Sequence, residues 1–316
     1  MTTLLQVEDL TVTYQTPRGV VHAVSEVNLD IKSGETVGLV GETGCGKSSL
    51  AKAVVRLREV ERGAIRLNGV DLVPLSDNDL QPHRRLMSII FQDPAASLDP
   101  RRSISWLIEE PLRVNGEMGR GERASRVAEL MKIVGLRSEM ADRYPHELSG
   151  GQRQRVAIAR AIALSPNLVI CDEPVSALDI SLQAQILNLL VDLQENKGLS
   201  YLFVSHDLSV VEYIAHRVVV MYLGCVVEVA RNVDLWRRPA HPYTVALIES
   251  VPLMKPREQR IEDRQIVAGD IPSPYNPPTG CRFHTRCPRV MPICSQVRPK
   301  LKEIAPGHLA ACHLYS

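Results

Sequence analysis

A chain of 316 residues is long enough for one large domain or two smaller ones, with ample length to bury a core. Its 37 Lys and Arg against 36 Asp and Glu leave a formal net charge of +1 with no basic block, which argues against a surface that tracks nucleic-acid phosphates. The longest apolar stretch, around residues 218–227, is far shorter than the roughly 20 residues that cross a bilayer, and Met1-Thr2-Thr3-Leu4-Leu5 lacks the basic start and apolar core of a signal peptide, so the chain is expected in the cytosol.

Residues Leu10-Thr11-Val12-Thr13-Tyr14 and Val27-Asn28-Leu29-Asp30-Ile31-Lys32 alternate apolar and polar about a turn at Thr16-Pro17-Arg18-Gly19, the pattern of half-buried antiparallel strands. The character then changes. Thr36–Val40 is a continuous apolar run, as a parallel strand covered on both faces requires, and it opens an α/β core. It feeds Gly41-Glu42-Thr43-Gly44-Cys45-Gly46-Lys47-Ser48 and a helical segment over 49–57. Glycines at both ends of a four-residue spacer, then Lys and Ser, between strand and helix, fit a phosphate-binding loop. The glycines let successive N–H groups face phosphate oxygens at the positive end of the helix, Lys47 reaches the β/γ-phosphates, and the Ser48 hydroxyl ligates magnesium. An ordinary Gly-rich turn would not need both Lys47 and Ser48.

A short strand over 63–69 precedes a second apolar run over 86–91, which ends in Gln92-Asp93-Pro94. From Ala95 to about Pro166 the pattern is helical: Ala124, Val127, Leu130, Met131 and Val134 fall at helical spacing and Gly135 is placed to end that helix. Leu148-Ser149-Gly150-Gly151-Gln152 then opens a helix with a glycine pair, a second potential anion site and by itself a weak signal. A third apolar strand over 168–171 is capped by Asp172-Glu173-Pro174 and followed by Ser176-Ala177-Leu178-Asp179 and a helix striped by Ile186, Leu189, Leu190 and Leu193. The strand over 201–205 ends at His206-Asp207. Beyond about Leu235 the composition shifts: twelve of the 21 prolines and four of the seven cysteines, Cys281, Cys287, Cys294 and Cys312, read as an appended module with little core of its own.

An aspartate at the carboxyl end of a buried strand downstream of a phosphate loop is where a nucleotide-bound magnesium ion needs a carboxylate, and Asp172 fits. Glu173 beside it is suited to orient and partly deprotonate an attacking water; the alternative is a helix-capping acidic pair. Gln92 and His206 each close a strand of the proposed sheet, where a glutamine bridges water and metal and a histidine hydrogen-bonds the γ-phosphate. Either residue alone is more often just a polar strand end.

In this order, these pieces resemble the Walker A (41–48), Q-loop (Gln92), signature (Ser149, Gly150, Gly151, Gln152), Walker B (Asp172, Glu173), D-loop (ending at Asp179) and switch-histidine (His206) motifs of ABC-transporter ATPase subunits. The signature is the most diagnostic. The resemblance implies a P-loop NTPase core with a small antiparallel β subdomain, an inserted helical subdomain over about 95–166 and a Cys/Pro-rich extension. The ATPase domain then covers 1–235 and the extension 236–316. It implies ATP held by Gly41, Glu42, Thr43, Gly44, Cys45, Gly46, Lys47, Ser48 and Ser49, with magnesium on Ser48, Gln92 and Asp172. Glu173, His206 and Gln92 are then catalytic, and Ser149 and Gly151 act on ATP held by a facing subunit. Tyr14 matches the aromatic that stacks on adenine; the alternative is a strand aromatic buried in the small sheet. Thr43 and Cys45 replace serines often found in the loop, and Cys45 is either a source of thiol sensitivity or a buried spacer.

His241-Pro242-Tyr243-Thr244, the stretch from Pro272 to Cys281, Cys287-Pro288 and Cys294 resemble the tail of ATPase subunits of dipeptide and oligopeptide importers, whose relatives serve nickel and glutathione uptake. The stretches 91–101 and 109–112 resemble the second, F-type, of two paired subunits. The resemblance implies a paralogous ATPase partner, two membrane permease subunits and an extracytoplasmic substrate-binding protein, and a peripheral place on the cytoplasmic face of the membrane. It implies no nucleic-acid partner. A nucleic-acid-linked ABC ATPase is disfavoured because no long insertion separates the loop from the signature, and a purely sensing module because Asp172, Glu173 and His206 are intact. In a reducing cytosol the seven cysteines are read as thiols or metal ligands rather than disulfides. The spacing of the last four is not that of a zinc knuckle or ferredoxin, leaving a four-iron, four-sulfur cluster of the kind some relatives carry, zinc, or free thiols open.

Overall fold

The computed structural model describes residues 2–116, 118–250 and 269–315, so part of the expected 236–316 extension lies outside the described residues. The chain runs β1 (Thr3–Thr16), β2 (Gly19–Lys32), β3 (Thr36–Val40), α1 (Lys47–Val54), β4 (Arg62–Leu67), β5 (Val70–Asp71), α2 (Asp77–Arg84), β6 (Met87–Ile90), α3 (Pro94–Ser97), α4 (Ile104–Asn115) and α5 (Arg120–Ile133). It continues through α6 (Gly150–Ala161), β7 (Leu168–Asp172), α7 (Ile180–Lys197), β8 (Ser200–Ser205), α8 (Leu208–Ile214), β9 (Arg217–Tyr222), β10 (Cys225–Arg231), α9 (Asn232–Arg237), α10 (Pro242–Glu249), β11 (Lys302–Ala305) and β12 (His308–Ala310). These elements divide into two compact units: Met1–Leu5, Ile31–Glu35 and Leu67–Val204 form one, and Gln6–Asp30, Thr36–Arg66 and Ser205–Ser316 the other.

In the first unit β6, β7 and β8 form a parallel ladder, with Ile90 opposite Cys171 and Asp172 opposite Val204. Every residue of β7 and β8 is buried, which is why their sequences run apolar without alternation. Helices α4, α5 and α6 pack together beside it. Val127, Leu130 and Met131 make the buried stripe of α5, and Gly135, at φ +69°, turns the chain out of it as its position predicts. Arg160 of α6 ties this layer by donating to the Ser97 carbonyl (2.9 Å) and the Glu110 carboxylate (2.6 Å). Helix α2 went unread in the sequence because it buries a single apolar residue, Leu80, and so has no stripe; its start is fixed instead by the Ser76 cap.

In the second unit β3 runs parallel to β9, and β9, β10, β12 and β11 follow as antiparallel neighbours. The strands β2, β1 and β4 lie side by side in that order. Gly38 inside β3 is a close-approach position: a Cβ there would sit 2.4 Å from Val211 Cγ1 of α8. The Cys/Pro-rich tail does not hang free of this unit, because β12 pairs with β10 through Glu228↔Ala310 and Val229↔Leu309. Glu228 is fully buried there, and its carboxylate accepts from the Ala240 and His241 amides (2.8 and 2.7 Å) and lies 2.7 Å from His308 Nε2.

Candidate functional site

Strand β3 is buried along its whole length and delivers the chain into the loop at 41–48. Gly41 and Gly46 are needed there twice over. Both have positive φ, +152° and +105°, and a Cβ would meet the Met221 carbonyl oxygen at 2.1 Å or the Ala23 carbonyl oxygen at 2.0 Å. Gly46 also serves as the N-cap of α1, so no side-chain oxygen caps that helix end. Such a helix end, with its N–H groups and partial positive charge, attracts an anion.

Lys47 is 4% exposed and curls back on the loop, donating to the Gly41 carbonyl (2.7 Å) and the Glu42 carbonyl (3.0 Å). The ammonium is thus stored against carbonyl oxygens that a phosphate would replace. Cys45 is buried beside it; burial pushes its thiol up, and the Lys47 charge only partly offsets this, so Cys45 is a spacer and not a reactive thiolate. The hydroxyl of Tyr14, half-buried on β1, donates to Ser49 Oγ at 2.9 Å, and the Arg58 guanidinium lies 5.5 Å from the centre of its ring. His206, exposed after β8, belongs to the same unit.

The other residues expected around the nucleotide lie in the first unit. Asp172 ends β7 almost fully buried, and Glu173 follows in the left-handed region at φ +51° with its amide donated to the Val204 carbonyl (3.0 Å). Gln92 Nε2 donates to Glu173 Oε2 at 3.0 Å, so two residues that are 81 positions apart are brought together as the strand ends predict. Ser149 caps α6: its Oγ accepts from the Gln152 amide (3.3 Å) while Gln152 Oε1 accepts from the Ser149 amide (3.0 Å). Cβ atoms on Gly150 and Gly151 would stand 3.4 Å from Leu178 and 3.2 Å from Leu182, so the glycine pair also lets the start of α7 and the residues just before it approach closely. Asp179 caps α7 by accepting from the Leu182 amide (2.9 Å) and the Ser181 hydroxyl (2.7 Å), and these hydrogen bonds hold its carboxyl below the usual range.

Cys281, Cys287, Cys294 and Cys312 are all free thiols. Burial pushes the Cys281 thiol up to about 11, and the Cys281 amide donates to the Cys294 carbonyl at 2.7 Å. Iron–sulfur, zinc and free thiols are the readings the sequence leaves open for these four, and the described geometry supports no metal: among the described residues no three His, Cys, Asp or Glu side chains are arranged to hold a metal ion. Sequence reasoning also missed the outer support of the loop. The Tyr243 hydroxyl oxygen accepts from the Glu42 amide at 2.8 Å, and Arg286 grips the Glu42 carboxylate through both terminal nitrogens at 2.9 and 3.1 Å.

A buried strand, a glycine-rich loop and an uncapped helix start, together with a buried aspartate closing a parallel strand, define a P-loop NTPase cassette. Solved structures agree. An ATP-binding cassette, MJ0796, in a dimeric post-hydrolysis state bound to ADP and Pi, is 32% identical, with a TM-score of 0.67 over 72% of this chain and 99% of that one. The cbiO1 subunit from Clostridium perfringens, part of the ABC transporter complex cbiONQ, is 29% identical, with a TM-score of 0.67 over 75% of this chain and 92% of that one. Residues 24–176 match the ABC transporter family and residues 227–294 the oligopeptide/dipeptide transporter C-terminal region. The oligopeptide transport ATP-binding protein AppF of Bacillus subtilis is 49% identical over 304 residues, 96% of this chain and 92% of that protein. The "Probable peptide ABC transporter ATP-binding protein y4tS" of Sinorhizobium fredii is 47% identical over 318 residues, 98% of this chain and 90% of that protein. The chain belongs to the ABC transporter ATP-binding proteins, in the branch that carries the oligopeptide/dipeptide transporter C-terminal region.

Proposed function

We propose that this chain is the ATP-hydrolysing subunit that powers import of dipeptides or oligopeptides through a separate membrane permease. The observation that carries the substrate class is the 49% identity to an oligopeptide transport ATP-binding protein along nearly the full length of both chains. No helix among the described residues is long and apolar enough to cross a membrane, which supports a permease supplied by other chains. On this reading the chain sits at the cytoplasmic face of the membrane with two permease subunits, a paralogous ATPase subunit and an extracytoplasmic binding protein. Its ATPase domain covers 1–235 and its extension 236–316.

The residue roles combine the chemistry of the motifs with what the family resemblance implies for Tyr14, Ser149, Gly151 and Asp179. The loop from Gly41 to Ser49 cradles the phosphates of ATP and Tyr14 meets the adenine. Asp172, Ser48 and Gln92 hold magnesium, which offsets the charge that develops on the γ-phosphate. Glu173 orients and deprotonates the attacking water, His206 hydrogen-bonds the γ-phosphate, and Ser149 and Gly151 address ATP on a facing subunit, with Asp179 at the D-loop. Lys47→Ala is expected to raise the ATP Kd by about 30-fold, the ~2 kcal/mol of a hydrogen bond to a charged group, in equilibrium titration with a fluorescent ATP analogue. An unchanged Kd would remove Lys47 from the phosphates. The transport reading itself is tested by isolating the chain with its membrane partners, reconstituting them, and measuring ATP hydrolysis with peptide-loaded binding protein; stimulation by nickel or glutathione instead would reassign the substrate.

For the four cysteines the reading is a four-iron, four-sulfur cluster. Support comes from four thiols on a Pro-rich segment, two of which, Cys281 and Cys294, are joined by a main-chain hydrogen bond (2.7 Å). Loading requires the thiols to lose protons, which burial makes Cys281, Cys287 and Cys312 hold, and to converge from their present arrangement, so uptake should rise with pH. Anaerobic purification should yield a brown protein with iron; a colourless, iron-free sample with intact cysteines refutes the assignment.

A further inference from the structure

Glu42, the second residue of the phosphate loop, is held at three points. Its carbonyl accepts from Lys47, its amide donates to the Tyr243 hydroxyl oxygen, and its carboxylate is paired with Arg286 in a two-pronged contact. The last two grips come from residues about 200 and 244 positions downstream. They are well built. Tyr243 is 1% exposed, the Arg286 side chain is 8% exposed, and Arg286 also donates to the Tyr222 hydroxyl at 3.3 Å. Phe283, 1% exposed, meets the Tyr222 ring edge-on at 5.2 Å and the Tyr243 ring at 5.4 Å, which fixes the backbone turn that carries Arg286. The Glu42 carboxylate holds the Arg286 charge firmly, shifting its pKa upward, and a planar guanidinium matches a carboxylate in a way an ammonium does not.

We infer that Arg286 and Tyr243 are positioning residues for nucleotide, acting on the phosphate loop from outside through Glu42. The inference rests on the reading that residues 41–48 hold nucleotide phosphates. When phosphate draws Lys47 away from the Gly41 and Glu42 carbonyls, the Glu42 carbonyl keeps the Cys45 amide (3.2 Å) and the two outer grips remain. Without Arg286, an unpaired carboxylate would stand in the loop that must receive a polyanion, and the loop would lose its fixed start. Both effects weaken ATP binding without touching the phosphates directly. Cys281 and Cys287 flank the same turn, so the C-terminal extension reaches the nucleotide loop by a short, packed path.

The test is an ATP titration of the full chain carrying Arg286→Ala, Glu42→Gln, or both, with unfolding of the nucleotide-free protein recorded alongside. Arg286→Ala should raise the ATP Kd by about tenfold, within the roughly 5–150-fold range of coupled sites. In the Glu42→Gln background the same change should cost no more than about twofold, because the arginine acts through that carboxylate. Tyr243→Phe, which keeps the ring and removes the acceptor for the Glu42 amide, should raise Kd by about threefold, the ~0.5–1.5 kcal/mol of one neutral hydrogen bond. An unchanged Kd in a folded Arg286→Ala protein, or an equal loss in both backgrounds, overturns the inference. Retained ATP affinity in Lys47→Ala would instead strike at the phosphate-loop reading, so the two failures are distinguishable.

Discussion

Glu173→Gln is expected to slow ATP turnover by about 10²–10⁴-fold while leaving ATP affinity within a factor of about two, the signature of a lost general base rather than a lost contact. The substitution is nearly isosteric. Gln92 donates to Glu173 Oε2 at 3.0 Å, and an amide oxygen at residue 173 would accept that hydrogen bond equally well, so the local geometry survives. The unusual backbone at φ +51° is set by main-chain contacts, the amide donated to Val204 and the carbonyl accepting from Ser176, and those are untouched. What disappears is a carboxylate able to take a proton. Phosphate release measured beside ATP binding separates the two quantities, and an ATP-bound variant should remain dimeric in gel filtration. Rapid turnover by Glu173→Gln would remove Glu173 from the general-base role.

Glu228→Ala is expected to destabilise the protein by about 3–5 kcal/mol, the cost of removing a buried carboxyl group that serves three buried nitrogens. Glu228 has no exposed surface, and its two oxygens serve the amides of Ala240 and His241 and the ring of His308. Truncation would leave two main-chain N–H groups and a ring nitrogen without partners, and water could reach them only by opening the packing around β10 and β12. Glu228→Gln keeps one acceptor oxygen and should lose roughly half as much. Urea denaturation monitored by far-ultraviolet circular dichroism gives both values. A loss below about 1 kcal/mol for the alanine variant would show that the cluster relaxes or hydrates, and that the tail is held by its apolar contacts instead.

Much of the candidate site was legible because it is local. A phosphate loop is eight consecutive residues whose glycines are demanded by backbone angles and close carbonyls, as at Gly41 and Gly46. Likewise Asp172 and Glu173 are marked by the apolar strand before them, Ser149 and Gln152 by the three-residue spacing of a reciprocal cap, and Gly135 by the helix it ends. Burial on both faces of β3 and β7 removes the polar alternation, so a parallel sheet announces itself in composition. Helix α2 was missed for the opposite reason, a single buried residue on an otherwise polar surface.

The sequence by itself determined the loop, the strand ends that carry Gln92, Asp172 and Glu173, and the family to which they belong, since each depends on neighbours within a few residues. The tertiary structure alone decided that Arg286 grips Glu42 from 244 residues away, that Glu228 meets His308 from 80 residues away, and that the Cys281 amide bonds the Cys294 carbonyl while no metal-ion group forms among the described residues. Pairings of this kind leave no period or motif in the chain. They depend on where β10, β12 and the turn at Phe283 bring the backbone, and only the packed fold sets that path.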